Sequence, residues 1–287
     1  VDQNILPGLY LVATPIGNME DSSERMKRYL SDVDLIACED TREMKKMLSI
    51  LGIQRNPKDI VAIHEHNEMQ MSEKIIEQIK QGSSVAYASD AGMPAISDPG
   101  QILVDRVLDE QLFVTSIPGA TAVTTAFALS GFQGMGFSFK GFFPRSKKDQ
   151  DLAIEELKYS VRPVIFYESP KRLISTLTVL EQNLDASRRA VVCRELTKKF
   201  EQISRGTFSE LKDVFDGEIK GECVLVIESA QPNGQDGQDP RYEKLVSTLK
   251  VLKAAGVSSK DAVLALSFVS ELPKNKLKEL FLKTPTS

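Results

Sequence analysis

Five times in its first half, the chain runs through a short apolar stretch, stops at a group of small and charged residues, and resumes with helical spacing. The apolar stretches lie at 8–14, 33–38, 60–63, 84–88 and 112–117. The helical patterns that follow them lie at 25–30, 43–51, 69–81, 101–110 and up to Leu129. Apolar stretches this short suit strands, and the spacing between them suits helices that bury one face. Strand–helix alternation sustained in this way makes an α/β fold, a mostly parallel sheet with helices on both faces. In such sheets ligands bind beyond the carboxyl ends of the strands. The chemistry is therefore sought in the loops that begin at Thr14, Glu39, His64, Asp90 and Pro118.

Each loop has a structural reading beside a functional one. In residues 87–100, Asp98 followed by Pro99 has the form of a helix N-cap and a first-turn proline. Asp90 and Gly92 have no such local duty and are candidates for touching a ligand. Thr14-Pro15-Ile16-Gly17-Asn18 stands where a nucleotide-binding turn would stand. G-x-G-x-x-G and the phosphate-loop lysine pattern are both missing, which disfavours a Rossmann dehydrogenase or a P-loop ATPase. Glu39 and Asp40 end the second strand; capping of the next helix accounts for one carboxylate, not two. The small residues of Pro118-Gly119-Ala120-Thr121-Ala122 suit either a backbone that approaches a ligand or a helix packed closely on the sheet.

The second half starts again near Gly119. Strands are expected at 137–143, 163–167, 189–193, 200–205 and 222–227, with helices at 149–159, from 170 to about 183, and at 208–215. Two further loops follow strands here, at Glu168 and Arg194, and Pro144-Arg145-Ser146-Lys147-Lys148 is a basic loop suited to phosphate. A polar linker at 230–240 precedes helical patterns at 241–254, 258–269 and 273–282. The expected domains are 1–118, 119–230, and a linker with a small helical tail at 231–287. From Arg241 onward 9 Lys/Arg face 4 Asp/Glu, a net of +5, so the rest of the chain carries −9 of the overall −4. A basic tail on an acidic body suits a polyanion, or simply a lysine-coated helical surface.

Hydrophobic content of 41% and charged content of 26% belong to a soluble globular protein, and no apolar run spans a bilayer. Cys38, Cys193 and Cys223 each sit inside an apolar run, which argues for reduced thiols and a cytoplasmic protein rather than a disulfide frame. With His64 and His66 as the only histidines and no cysteine beside them, no metal centre is expected.

Seven ordered blocks between Gly8 and Ser229 together resemble the bacterial ribosomal RNA small-subunit methyltransferase I family, within the tetrapyrrole-methylase superfamily. They are Leu11-Val12-Ala13-Thr14-Pro15-Ile16-Gly17-Asn18, Ala37-Cys38-Glu39-Asp40-Thr41-Arg42, His64-Glu65-His66-Asn67, Ser89-Asp90-Ala91-Gly92, Pro118-Gly119, Phe166-Tyr167-Glu168-Ser169-Pro170 and Arg194-Glu195-Leu196-Thr197-Lys198. Met93 stands where the family usually has Thr, and Ala120 where a second proline is common.

The resemblance implies two α/β domains with S-adenosylmethionine in the cleft between them, no metal, a homodimer, and methylation of a cytidine ribose 2′-hydroxyl in small-subunit ribosomal RNA. Carried onto this chain, the cofactor residues are Thr14, Pro15, Gly17 and Asn18; Asp90, Ala91 and Gly92; Pro118, Gly119, Thr121 and Ala122. Tyr167, Glu168, Leu196 and Thr197 complete them from the second lobe. A ribose hydroxyl is a weak acid and needs a base: Lys198 could serve if burial lowers its pKa, Glu195 or Glu39 could take the proton, and Arg194 could hold phosphate or position Glu195. The alternative for this block is a set of ion pairs joining the lobes. RNA contacts are expected from Arg145, Lys147, Lys148, Lys171 and Arg172. The rival readings are a methylase of a small tetrapyrrole, a metal-dependent phosphoryl-transfer enzyme using Asp40, Asp90 and Asp98, and a non-catalytic ribosome-assembly factor.

Overall fold

The computed structural model describes residues 5–64, 66–134, 136–230, 240–268, 270 and 272–284. In chain order the first half holds β1 (Gly8–Val12), α1 (Glu24–Asp32), β2 (Leu35–Cys38), α2 (Thr41–Ile50), β3 (Ile60–Ala62), α3 (Glu68–Lys80), β4 (Ser84–Ala88), α4 (Gln101–Asp109) and β5 (Val114–Ile117). Its sheet has the order β3-β2-β4-β1-β5 with every pair parallel. Side chains alternate across it. Tyr10, Val12, Ile36, Cys38, Ala86 and Ala88 pack with Met26 and Leu30 of α1 and Met44 and Met47 of α2. Leu9, Ala37, Val85 and Tyr87 pack on the other side with Ile75 and Ile79 of α3 and Leu103 and Val107 of α4. Both faces are covered, which is why these strands read as continuous apolar runs rather than alternating ones.

The second half holds α5 (Ala122–Ser130), β6 (Ser138–Phe142), α6 (Lys147–Lys158), β7 (Val164–Glu168), α7 (Pro170–Asn183), β8 (Arg189–Arg194), β9 (Gln202–Thr207), α8 (Phe208–Val214) and β10 (Cys223–Ile227). Its sheet has the order β6-β7-β10-β8-β9, and only β6 and β7 run parallel. A mostly parallel sheet thus describes the first half and not the second. The short connection 195–201 holds no helix, and a parallel return needs a crossover of about a dozen residues. Strand β10 enters antiparallel between β7 and β8, so Cys223 pairs with both Glu168 and Arg194 at the end where those strands stop. Helix α5 follows the first sheet in sequence but packs on the second: Val123 and Ala126 lie against Val191, Cys193, Val224 and Val226.

The tail forms α9 (Pro240–Ala254), α10 (Ser259–Ser267) and α11 (Lys274–Lys283) around a core of its own that includes Leu249, Leu266, Leu277 and Phe281. Its lysines at 250, 260, 274, 276, 278 and 283 are exposed. The linker expected at 230–240 falls on 231–239, outside the described residues, as do Glu65 of the His64–Asn67 block and Val269. Among the described residues no helix is long and apolar enough to cross a membrane.

Two local expectations are corrected. Asp98 does not cap α4. The cap position is Gly100 at φ 119°, and the cap comes from Glu68 at the start of α3. The Glu68 Oε1 atom accepts from the backbone N–H groups of Gly100, Ile102 and Leu103 at 2.8, 3.0 and 3.2 Å. Lys147 and Lys148 are not in a loop but form the first turn of α6, capped by the Ser146 hydroxyl. His64 and His66 lie beyond the end of β3, where Asn67 ties the turn by accepting from His64 N and donating to the Ala62 carbonyl.

Candidate active site between the two sheets

The strand ends of the two sheets face each other across a cavity of ≈ 430 Å³, the size of a cofactor pocket. The first sheet contributes Glu39, Asp90, Ala91, Gly92 and Met93 to its lining, and the segment after β5 contributes Thr121 and Ala122. The second contributes Tyr167, Glu168, Cys193, Leu196, Glu222 and Cys223. All three cysteines are free and buried; burial pushes the Cys193 thiol up to about 11 and Cys223 to about 12, so both are neutral walls.

The walls are fixed by backbone devices. Thr14 and Gly92 exchange two backbone hydrogen bonds, 2.9 and 3.1 Å, and the Thr14 hydroxyl donates to the Ser89 carbonyl, which zips the loop after β1 to the loop after β4. The two lobes are then latched. Asn18 N–H donates to the Thr197 hydroxyl at 3.1 Å, and Gly17 lies so close that a Cβ there would fall 2.4 Å from Lys198 Cγ. Ala95, Ser97, Glu195 and Thr197 hold left-handed φ between 53° and 65° without being glycine. Such costs concentrate where a site must be shaped.

The charged block after β8 serves this architecture. Lys198 Nζ donates to Glu195 Oε1 and to Glu222 Oε2, both at 2.9 Å. Burial alone would lower the Lys198 pKa, but the two carboxylate partners outweigh it and raise it, which favours the charged ammonium. Burial would raise the Glu195 carboxyl, but Lys198 and the Glu222 N–H bring it below its usual value. Arg194 donates to the Gln202 side chain and to the Lys220 and Phe200 carbonyls, bracing the 195–201 turn. These ion pairs lie within the second lobe; what ties this block to the first lobe is the Asn18 N–H bond to the Thr197 hydroxyl, not an ion pair.

The remaining expected residues divide. Glu168 is buried, and its oxygens accept from Ser169 N–H at 2.7 Å and the Thr176 hydroxyl at 2.6 Å. Arg172 faces that carboxylate and donates to the Phe143 and Pro144 carbonyls, so its guanidinium is engaged in bracing the lobe. Arg145, Lys147, Lys148 and Lys171 are exposed, on segments that start beside the lining residues Phe142 and Pro170. Asp40 caps α2 and pairs with Arg42, which leaves Glu39 as the carboxylate that faces the cavity. Thr14, Pro15, Gly17, Asn18, Pro118, Gly119 and Thr197 do not line the cavity. Gly119 serves close packing, since a Cβ there would meet Ala13 Cβ at 3.0 Å.

Of the other lining residues, Ile16, Asp98, Ser169 and Pro170 stand in stretches the sequence marked without being named as cofactor residues, whereas Ile96, Ser97, Phe142 and residues 221–224 were not singled out. Asp98 is the most perturbed acid there: burial first, then the neighbouring Glu39 and Asp90, push its carboxyl up to about 6. Burial also raises Asp90, against the Asp40 N–H that donates to it at 3.2 Å. Across the cavity, burial, Asp98 and Glu222 push the Tyr167 phenol up to about 12. The cavity thus sets carboxylates among apolar side chains, a lining suited to an organic cation.

Residues 8–212 match the family described as Tetrapyrrole (Corrin/Porphyrin) Methylases. The chain is 41% identical over 278 residues to the ribosomal RNA small subunit methyltransferase I of Halalkalibacterium halodurans, covering 95% of this chain and 94% of that one. It is 39% identical to the protein of the same name from Bacillus subtilis, covering 95% and 93%. Among solved structures, a diphthine synthase superimposes with a TM-score of 0.59 at 14% identity, covering 81% of this chain and 94% of that chain. A uroporphyrin-III C-methyl transferase from Thermus thermophilus complexed with S-adenyl homocysteine gives 0.55 at 14%, covering 78% and 98%. At that identity the structures speak for the fold alone; with the sequence matches, they establish that this chain belongs to the ribosomal RNA small subunit methyltransferase I family of tetrapyrrole methylases.

Proposed function

We propose that the protein transfers a methyl group from S-adenosylmethionine to the ribose 2′-hydroxyl of a cytidine in small-subunit ribosomal RNA. The observation that carries this reading is the cleft itself: a cofactor-sized cavity, walled by carboxylates, small residues and apolar side chains from two sheets, in a chain so similar to enzymes of that name.

The residues present fit the donor. Its cationic centre suits the wall of Glu39, Asp90 and Asp98, and its flat and aliphatic parts suit Ile16, Met93, Ala122 and Leu196. Small residues at Ala91 and Gly92 leave the backbone open to it; a Cβ at Gly92 would already meet Ile16 at 3.3 Å. When bound, the donor supplies a methyl group made electrophilic by its sulfonium. The protein's task is then to align it with the acceptor oxygen, exclude water and accept a proton. The latch between Gly17–Asn18 and Thr197–Lys198 holds the two walls at one spacing. Exposed Arg145, Lys147, Lys148 and Lys171 beside the mouth supply phosphate contacts, and the lysine-covered tail adds positive charge. The same reading takes 1–118 and 119–230 as the two catalytic domains and 231–287 as linker and accessory tail, with a cytoplasmic homodimer as the working form.

The test supplies labelled S-adenosylmethionine together with either small ribosomal subunits from a strain lacking the modification or a porphyrinogen. Label in the RNA and none in the tetrapyrrole supports the reading; the reverse replaces it with the small-molecule alternative.

A further inference from the structure

Strand β6 lies at the edge of the second sheet, beside β7, and its pairing slips by one residue. Phe139 stands opposite Ile165 and Phe142 opposite Tyr167, so three steps along β6 match two along β7. The extra residue makes a β-bulge, with Gly141 in the left-handed region at φ 68°. In a regular strand, residues three apart point to opposite faces. The bulge brings Phe139 and Phe142 to the same face instead. Both rings meet Tyr167 edge to face, with centroids 4.9 and 5.6 Å away and interplanar angles of 64° and 66°. The next residue, Phe143, turns the other way into the core of the lobe and is fully buried.

The core has thus taken Phe143 and left Phe142 outside. Phe142 is 58% exposed, yet it lines the cavity between the sheets, which places it at the rim. A lone phenylalanine on a surface needs no explanation. This one is backed by two more aromatic rings and aimed by a bulge, a device that recurs beside active sites to redirect a side chain. The first lobe comes close at the same point: a Cβ at Gly141 would meet Ser97 Oγ at 3.4 Å. Cations follow directly in the chain. Arg145 and Lys148 are exposed, and Lys147, also exposed, pairs with Asp151.

An open aromatic ring with cations a few residues away is the combination that holds single-stranded RNA: the ring stacks on an unstacked base and the cations take the neighbouring phosphates. A ribose brought to the cavity carries its base with it, and Phe142 offers a surface for one face of that base. The flat part of the donor has its own lining in Ile16, Met93, Ala122 and Leu196, all of them buried or half-buried.

We infer that Phe142 is the stacking platform for the base of the methylated nucleotide, with Phe139 and Tyr167 as its support and Arg145 and Lys148 beside it on the phosphates. This rests on the function proposed above. The ring sets where the acceptor sugar sits relative to the donor and takes no part in bond making.

The experiment compares wild type with Phe142→Ala, Phe142→Leu and Phe142→Tyr. Thermal melting and a sizing column report the framework, and calorimetry with S-adenosylhomocysteine reports the donor half of the cleft. Steady-state transfer to small subunits lacking the modification reports kcat and KM. We expect Phe142→Ala to lose about 10–100-fold in kcat/KM for the subunits, the size of a lost base–aromatic stack. Phe142→Leu keeps apolar bulk without a ring face and should lose nearly as much; Phe142→Tyr keeps the face and should stay close to wild type. Melting temperature, oligomeric state and S-adenosylhomocysteine affinity should be the same in all four proteins. Wild-type kcat/KM in Phe142→Ala overturns the assignment. So does a Phe142→Leu protein that transfers as well as Phe142→Tyr, which would make the position an apolar wall with no need of a ring. Weaker S-adenosylhomocysteine binding in the Ala and Leu variants would give the ring to the donor, and a changed oligomer would give it to a subunit interface; either result overturns the inference. Equal loss in all three variants would make Phe142 part of the framework and overturn it too. Wild-type protein that transfers no methyl group to the subunits would refute the proposed function instead. Filter binding of the subunits at saturating S-adenosylhomocysteine then decides: affinity lost in the Ala and Leu variants and kept in Phe142→Tyr upholds the platform, and equal affinities overturn it.

Discussion

Replacing Glu68 with Ala tests how the cavity is held open. One buried carboxylate oxygen satisfies three backbone N–H groups at the start of α4, at 2.8, 3.0 and 3.2 Å, and two of those bonds are fully buried. A hydrogen bond to a charged group contributes about 1.5–3 kcal/mol, and each buried donor left without a partner costs about 1–3 kcal/mol. The three bonds share one oxygen and do not add. Counting one strong charged bond plus one stranded amide gives a loss of about 3–4 kcal/mol, the range of a broken buried polar network. At about 2–4 °C per kcal/mol for a domain of this size, the melting temperature should fall by about 6–16 °C. Glu68→Gln keeps an acceptor and should lose about 1–1.5 kcal/mol. The loop that carries Asp90, Met93 and Asp98 would then have to order on binding, so S-adenosylhomocysteine affinity should drop about tenfold, or about 1.4 kcal/mol. Calorimetric unfolding and ligand titration on the three proteins measure both quantities. A Glu68→Ala protein that melts within about 1 kcal/mol of wild type, or that binds the ligand equally well, would refute the reasoning.

Gly17→Ala places a methyl group 2.4 Å from Lys198 Cγ, so the latch must shift; we expect a cost of about 1–3 kcal/mol and weaker cofactor binding, read by titration. Lys198→Met removes two half-exposed ion pairs, worth about 1 kcal/mol together, and should slow transfer by no more than about tenfold at saturating donor, with the pH profile unchanged. Charge reversal at Lys148 and Lys171 should weaken RNA capture and flatten its salt dependence by about one unit of slope for each phosphate no longer neutralised, with S-adenosylhomocysteine affinity unchanged; filter binding at several salt concentrations reads this out. Asp98 also links stability to pH. Its folded value lies above the ordinary 3.8, so the folded state binds the proton more tightly, and the cost of ionising it appears as pH rises from about 4 to about 6. Asp98→Asn should therefore be more stable than wild type by about 1–2 kcal/mol above that window, after allowing for solvent screening, and equal to it below; denaturant melts at both ends decide.

The parts of this molecule that follow from local pattern could be read in the chain. Strands β1, β2 and β4 are apolar at nearly every position because helices cover both faces, and the helices between them show one apolar face each. What depended on distant partners could not be read. Asp98-Pro99 has the local form of a cap, but the cap comes from Glu68, 32 residues before the Gly100 N–H it holds. Arg172 looked like a surface cation, yet a buried carboxylate and two carbonyls claim it. Residues 221–223 gave no signal because their place in the cavity follows from the antiparallel insertion of β10 between β7 and β8, a choice made by the whole sheet. Lys198 looked like a base from its neighbourhood in the chain; its partner Glu222, 24 residues on, makes it a fixed charge.

The central claim is that this cleft joins a methyl donor to a ribose oxygen, and nucleoside mass spectrometry tests it most directly. Small subunits from a strain lacking the modification would be incubated with the protein and S-adenosylmethionine, then digested to nucleosides. The account predicts 2′-O-methylcytidine rising toward one per subunit with the complete mixture and staying near background when the protein or S-adenosylmethionine is left out. A methyl group found on a base carbon or nitrogen, or no methylated nucleoside at all, would contradict it.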